Sequence, residues 1–340
     1  MKTKKRVLHI LASNIFSGAE NIACTIIEKL GDDYEMAYCS PNGIIKEILK
    51  NKNIYYYEID KLSLKNIKKV INEFQPDIIH AHDFKATFFA CMFSKKCEIV
   101  SHIHKNDPSM KKISIKSILY LLSSKRIKNI FGVSDSIFDE YIFKNRIKNK
   151  YITLYNYIDK DKVSCLANEY NVDKKYDLFY FGRLNEEKNP IDFIEIVNRL
   201  KKTGLRCVMI GDGDLKNKCE QLIKEYDLEK VIDMVGFKSN PFPYIKNSSV
   251  GIMPSKYEGF GITAIESLVL SKPVLNSGIG GLKKIFENNP EFICKNIEEY
   301  IEKIKEIDKY PSKNVDISNY TNLTKWKKII EKVYGGGKNE

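Results

Sequence analysis

The chain has 340 residues, a formal net charge of +12, 43% apolar residues and 29% charged residues. That length is more than one comfortable core and suits two domains, and the composition is that of a soluble globular protein rather than a disordered or fibrous one. The eight cysteines are scattered without a C-x-x-C pair, which excludes a disulfide framework or a zinc finger and points to reduced thiols. No run of about 18 apolar residues is available to span a bilayer.

The opening MKTKKRVLHIL is basic and then apolar, in the manner of a signal peptide. However, the apolar run is short, contains His9 and turns polar at Ser13-Asn14, so a cytoplasmic start is expected. The pattern then predicts strands at Val7–Leu11, Tyr34–Cys39, Ile54–Ile59, Asp77–His80, Ile99–His104 and Asn129–Val133. Helical spacing predicts helices between them at Gly18–Leu30, Gly43–Asn51 and Lys65–Phe74. The series restarts with strands expected at Asp177–Phe181, Arg206–Ile210, Val231–Val235, Val250–Met253, Val274–Asn276 and Phe292–Cys294. Helices are expected at Ile191–Lys201, Asp214–Tyr226 and Ile262–Ser271. Alternation of this kind implies two doubly wound α/β domains, with a break near Asn156 to Tyr176. In such sheets ligands bind beyond the carboxyl ends of the strands, so the loops after strands carry the candidates.

Ser13–Glu20 follows the first strand. Gly18 lets a backbone approach a ligand, and the helix behind it offers N–H groups to a phosphate; alternatively Ser17 simply caps that helix with Glu20 in its first turn. His80-Ala-His82 and His102-Ile-His104 end two strands. They suit hydrogen bonding to a substrate, and a zinc site is conceivable, whereas His9 reads as a core histidine. The stretch 109–129, SMKKISIKSILYLLSSKRIKN, combines Lys111, Lys112, Lys116, Lys125, Arg126 and Lys128 with Ile and Leu at helical spacing. It reads as a basic amphipathic helix that lies on an anionic membrane or packs its apolar side on the sheet. Residues 1–155 hold 26 Lys and Arg against 16 Asp and Glu, the remainder 30 against 28. The basic half therefore suggests an anionic partner there, unless it only reflects lysine-rich surfaces.

Arg183 and Lys188 follow the first strand of the second half and can converge on one anion. Gly211-Asp-Gly-Asp214 looks like a D-x-D metal motif but reads better as a tight turn in which Asp214 caps the next helix. In SKYEGFGITAIESLVLSKP, Glu258 sits in a Gly-rich turn and Glu266 inside an apolar helical run. A carboxylate in the second position needs a partner.

Taken in order, these motifs resemble the family-4 glycosyltransferases. The parts are Ser17-Gly18-Ala19-Glu20, Pro76–His82, His104, Val133-Ser134, Tyr155–Asp159, Gly182-Arg183-Leu184 with Lys188, Gly211-Asp212-Gly213, Val235-Gly236-Phe237, the E-x7-E pair Glu258/Glu266, Lys272-Pro273-Val274 and Gly280-Gly281. The resemblance covers nearly the whole chain and implies a GT-B fold, two Rossmann-like domains facing across a cleft. Residues 1–155 would bind the acceptor and 156–322 the nucleotide sugar, with 323–340 a helix and tail packing back on the first domain. It implies a retaining, metal-independent hexosyltransferase that needs no cofactor. The donor would be a nucleotide diphosphate sugar, most simply UDP-linked. The acceptor would be a lipid diphosphate-linked or polysaccharide precursor in capsule, exopolysaccharide or O-antigen synthesis, at the inner membrane face and without nucleic acid. Glu258 would hold the donor sugar and Glu266 the ribose. Gly18 and the backbone of Gly259, Phe260, Gly261, Ile262 and Thr263 would approach the phosphates, Arg183 and Lys188 would neutralise them, and His104 would lie near the reacting sugar. Two departures are visible: Leu282-Lys283-Lys284 where the family often has an acidic residue, and Tyr157 in place of a glycine. The alternatives are a nucleotide-sugar epimerase of the same fold and a binding protein without chemistry.

Overall fold

The computed structural model describes residues 4–306 and 315–335. The chain divides into two compact units. Unit 1 runs to Tyr157 and takes back the chain from Asn322 onward, and unit 2 is Ile158–Thr321. The expected tail at 336–340 lies outside the described residues.

Unit 1 is built on seven strands: β1 (Arg6–Ile10), β2 (Glu35–Pro41), β3 (Tyr56–Ile59), β4 (Ile78–His82), β5 (Glu98–Ile103), β6 (Asn129–Gly132) and β7 (Tyr151–Thr153). Their order is β3-β2-β1-β4-β5-β6-β7, and every neighbouring pair is parallel. Unit 2 has five: β8 (Tyr176–Phe181), β9 (Cys207–Ile210), β10 (Ile232–Gly236), β11 (Ser248–Met253) and β12 (Val274–Asn276), in the parallel order β10-β9-β8-β11-β12. Parallel strands need long crossovers, which bury both faces of a sheet. That is why β1, β4 and β9 read as apolar runs rather than alternating ones. In each sheet the strand order reverses direction once, between β1 and β4 and between β8 and β11, and each reversal opens a crevice at the carboxyl ends.

The helix Leu323–Tyr334 belongs to unit 1. Its Trp326, Ile330, Val333 and Tyr334 share one core with Val7, Leu11, Ile78, Val100 and Phe131 of the sheet. The ammonium of Lys5 donates to the Tyr334 carbonyl at 2.8 Å.

Several sequence expectations change. Phe292–Cys294 is not a strand: Pro290–Phe292 forms a 3-10 turn, which leaves a single bridge from Ile293 to Asn276. The strand β7 and the helix Lys160–Leu166 were not read from the pattern, both being short. The basic stretch 109–129 is not one helix. A 3-10 turn at Pro108–Met110 precedes a helix limited to Ile115–Ser124, because Ser114 caps it and β6 already begins at Asn129.

Candidate functional site

At the switch point of unit 2, the loops after β8 and β11 are tied together. The backbone N–H groups of Lys256 and Tyr257 both donate to the Glu187 carbonyl, at 2.9 and 3.1 Å. The Asn189 side-chain amide donates to the Pro254 carbonyl at 3.2 Å. Lys188 forms an ion pair with Glu258, and both side chains are largely buried. Arg183 is well exposed and bonds Glu187 at 3.2 Å. Lys188 thus meets Glu258, while Arg183 meets Glu187. Glu187 and Asn189 were missed by sequence reasoning; the Asn-Pro pair at 189–190 was the one available signal of a turn.

Glu258 is held from below by the turn after β12. A Cβ on Gly280 would stand 1.6 Å from the Glu258 carbonyl oxygen, and Gly280 has φ +60°. Only glycine fits that approach. The chain then enters the helix Ile262–Val269, whose N-cap is Gly261. The N–H groups of Ile262 and Thr263 precede the first internal bonds, which Ala264 and Ile265 make to the Gly261 carbonyl at 3.0 and 3.4 Å, and leave an anion-binding end. One turn further, Glu266 is half-buried by surface area. Desolvation nevertheless pushes its carboxyl up to about 8, and it has no hydrogen-bond or ion-pair partner among the described residues. Such a group is stable only when neutral or when a donor arrives.

The turn Gly211–Gly213 has another task. A Cβ on Gly211 would lie 1.9 Å from the Gly182 carbonyl oxygen. Leu184 N–H donates to Asp212 at 2.9 Å, and Leu215 N–H donates to Leu184 at 2.8 Å. The turn therefore braces the Gly182–Leu184 loop. Asp214 does not cap the next helix: that helix is Lys216–Glu225 with Leu215 as N-cap, and Asp214 is exposed.

In unit 1, Gly18 is exposed at the start of the helix Gly18–Leu30. Glu20 is buried and accepts from Ser17 N–H at 3.1 Å and from Ser17 Oγ at 2.5 Å. His104 follows β5, and its backbone N–H donates to Asp83 Oδ1 at 3.0 Å. Its Nε2 lies 2.8 Å from His82 Nδ1, and His82 Nε2 lies 3.0 Å from His9 Nδ1. His9 is fully buried, as expected of a core histidine, and joins the other histidines there. His80 Nδ1 is 2.6 Å from the Tyr334 hydroxyl. Burial keeps these rings neutral: it pushes His9 down to about 3, and it lowers His80, His82, His102 and His104 as well.

The helix Ile115–Ser124 turns its apolar side outward. Ile115, Ile118, Leu119 and Leu122 are exposed, Ile115 by 82%, with Ile113, Phe88 and Met92 exposed nearby in the chain or fold. Ser117, Tyr120, Ser123 and Ser124 face inward. Lys116 pairs with Asp107, and Lys111 pairs with Glu140 at 3.1 Å.

HepE from Anabaena, crystallised with UDP, superposes with a TM-score of 0.82 over 98% of this chain and 100% of that one, at 17% identity. Two parallel-sheet Rossmann-like domains matched at this level define the GT-B fold. Residues 24–162 match the family model described as Glycosyltransferase Family 4, and residues 166–324 match Glycosyl transferases group 1. The chain belongs to this glycosyltransferase family. It is 30% identical to the uncharacterized glycosyltransferase MJ1059 of Methanocaldococcus jannaschii, over 69% of this chain and 63% of that protein. It is 26% identical to an N-acetylgalactosamine-N,N'-diacetylbacillosaminyl-diphospho-undecaprenol 4-alpha-N-acetylgalactosaminyltransferase of Campylobacter jejuni, over 76% of each chain.

Proposed function

We propose that the protein is a retaining glycosyltransferase that moves a hexose from a UDP-sugar to a lipid diphosphate-linked acceptor in cell-surface polysaccharide assembly. The observation that carries this reading is Glu266, a carboxyl without a partner among the described residues, on the helix that opens just after the Lys188–Glu258 pair. Ribose hydroxyls would donate to Glu266 and supply what the fold leaves out. The donor diphosphate would lie at the N-terminus of the helix Ile262–Val269, along Gly259 to Thr263. It would draw Lys188 away from Glu258 and Arg183 away from Glu187. Glu258 is then free to accept from the sugar hydroxyls, so binding the phosphate readies the group that holds the sugar.

In the reaction the acceptor oxygen bonds to the anomeric carbon on the face from which the diphosphate leaves. The bond from that carbon to the phosphate oxygen breaks, and the acceptor proton passes to the leaving phosphate. Arg183, Lys188 and the helix N-terminus stabilise the charge that develops. These side chains take a metal's part at the phosphate, and no cofactor enters. Gly18 and His104 keep the roles that the resemblance implies, close to the phosphate and to the reacting sugar.

The acceptor class is supported by the Campylobacter relative, whose name records a diphospho-undecaprenol-linked sugar. It is supported too by the helix Ile115–Ser124, whose exposed Ile and Leu suit entry into a lipid surface, although Lys111 and Lys116 beside them are paired with Glu140 and Asp107. We expect protein work at the inner membrane face. The test is transfer from UDP-hexoses to a prenyl-diphosphate sugar in EDTA, with the product anomer read by NMR; an inverted product, or loss of turnover restored by manganese, overturns the reading. For the membrane, Ile115→Asp with Leu122→Asp should lower partition onto anionic vesicles by about 100-fold, each buried side chain being worth roughly 1.5–3 kcal/mol. Unchanged sedimentation with the vesicles overturns that part.

A further inference from the structure

All five histidines of the chain stand in one cluster in unit 1. The strand order places them there. His9 pairs with His80 across β1 and β4, His82 pairs with His102 across β4 and β5, and the i, i+2 spacing turns the rings to one face. Ring centroids are 4.1 Å apart for His102 and His104, 5.1 Å for His82 and His104, and 5.5 Å for His82 and His102.

The hydrogen bonds do not satisfy this cluster. His102 is fully buried, yet neither of its ring nitrogens has a hydrogen-bond partner among the described residues; Nε2 of His9, Nε2 of His80 and Nδ1 of His104 are likewise buried and unpaired. A buried polar group left this way costs about 1–3 kcal/mol, so a cluster of them calls for an occupant. A proton chain through His9, His82 and His104 fits poorly. Its inner end at His9 Nε2 leads to no partner among the described residues, and it leaves His102 unexplained.

A metal ion fits better. His82, His102 and His104 each offer a ring nitrogen, all within 4.8 Å of one another, His82 by giving up its 2.8 Å contact with His104. In a tetrahedral zinc site with bonds of about 2.0–2.1 Å, ligand nitrogens stand about 3.3 Å apart, so the rings, now 17–32° from parallel, must both approach and turn to close the set. The second possible set, His9, His80 and His82, shares His82 and is wholly buried. The first set reaches the surface at His104, which gives an ion its way in. Neutral imidazoles select zinc-class ions over calcium or magnesium. Asp83, bonded to the His104 backbone, adds one negative charge next to the set. We infer that His82, His102 and His104 form a binding site for a divalent first-row transition metal of the zinc class. The site lies within unit 1 and takes His104, the ring that the proposed function sets near the reacting sugar, so an ion held there competes with that role.

The test uses the full chain stripped of metal and titrated with Co2+, followed by Zn2+ competition. The expected result is one equivalent of cobalt with tetrahedral ligand-field bands, free of thiolate charge transfer and displaced by zinc. His102→Phe keeps a stacking ring but no ligand, and His102→Gln keeps polarity. Each should weaken binding by about 100-fold or more, since even indirect partners of ligands are worth 10- to 100-fold. Nitrogen NMR of the wild-type imidazoles supplies a readout without any variant: zinc should move the His82, His102 and His104 signals. Absence of tetrahedral bands, unmoved imidazole signals, or His102→Phe binding as tightly as wild type overturns the site.

Discussion

Unit 2 ends β8 and β11 in loops that carry Arg183, Lys188 and Glu258, whereas unit 1 ends β4 and β5 in histidines packed on one another. Both ends are the crevices that parallel sheets provide, and they are filled with opposite electrostatics. The unit 2 end holds full charges that neutralise each other and can exchange partners with a charged ligand. The unit 1 end is buried so deeply that its rings stay neutral, each with one N–H donor and one lone pair. Equivalent positions in two related sheets thus suit different ligands, because burial rather than residue count decides which protonation state survives.

The largest effect should come from Glu258→Gln. Turnover should fall by about 100-fold or more because the sugar is no longer held in register, while calorimetry should show no loss of UDP affinity, since Lys188 has no ion pair left to leave. Equal losses of both would erase the distinction between sugar and nucleotide contacts. Glu266→Gln should instead lower UDP affinity by about 10- to 100-fold. The wild-type carboxyl, raised to about 8, is protonated at neutral pH. UDP binding near pH 7 should then release close to one proton, seen as a buffer-dependent binding heat that Glu266→Gln abolishes.

The two ends should also answer pH with opposite signs. The folded Glu266 pKa lies above its ordinary 4.5, so its contribution to stability is full below that value and is lost as pH rises through about 8. The folded His9 pKa lies below its ordinary 6.5, so its contribution is full above that value and is lost as pH falls toward about 3. Melting of metal-free protein should show Glu266→Gln gaining on wild type from acid to alkali. The signals of unit 1 should fail first in acid; a shared pH profile would break the comparison. The smallest change is Tyr334→Phe, which removes the hydroxyl from His80. It should cost about 1 kcal/mol of stability in denaturant melts and leave UDP affinity unchanged.

The strand series and the E-x7-E pair were legible because they are local: apolar runs of strand length, a glycine turn, a carboxylate in an apolar helix. What was illegible lay in pairings distant along the chain. Lys188 meets Glu258 across 70 positions, so the sequence set it beside Arg183, its visible neighbour. The stripe on Ile115–Ser124 was visible, but its outward direction was not. Ser117 and Ser124 turn inward because their hydroxyls bond the carbonyls of Lys112, Ser114 and Leu121, and the Tyr120 hydroxyl reaches Ser101 at 3.1 Å. The i, i+2 histidines were plain, yet His9 joins them only because the sheet order places β1 against β4.

The return of Leu323–Tyr334 to unit 1 sets the order of biosynthesis. The ribosome completes β1 to β7, then all of unit 2, before it makes the helix whose Trp326 and Tyr334 cover the sheet of unit 1. The bond from His80 to Tyr334 spans 254 positions. Unit 1 is therefore the first to emerge and the last to close, and until then its Val7, Leu11 and Phe131 face is open to chaperones and to other chains. A fragment that stops at Tyr157 inherits that unfinished state permanently, whereas residues 158–321 contain their own sheet and core and are the part suited to expression alone.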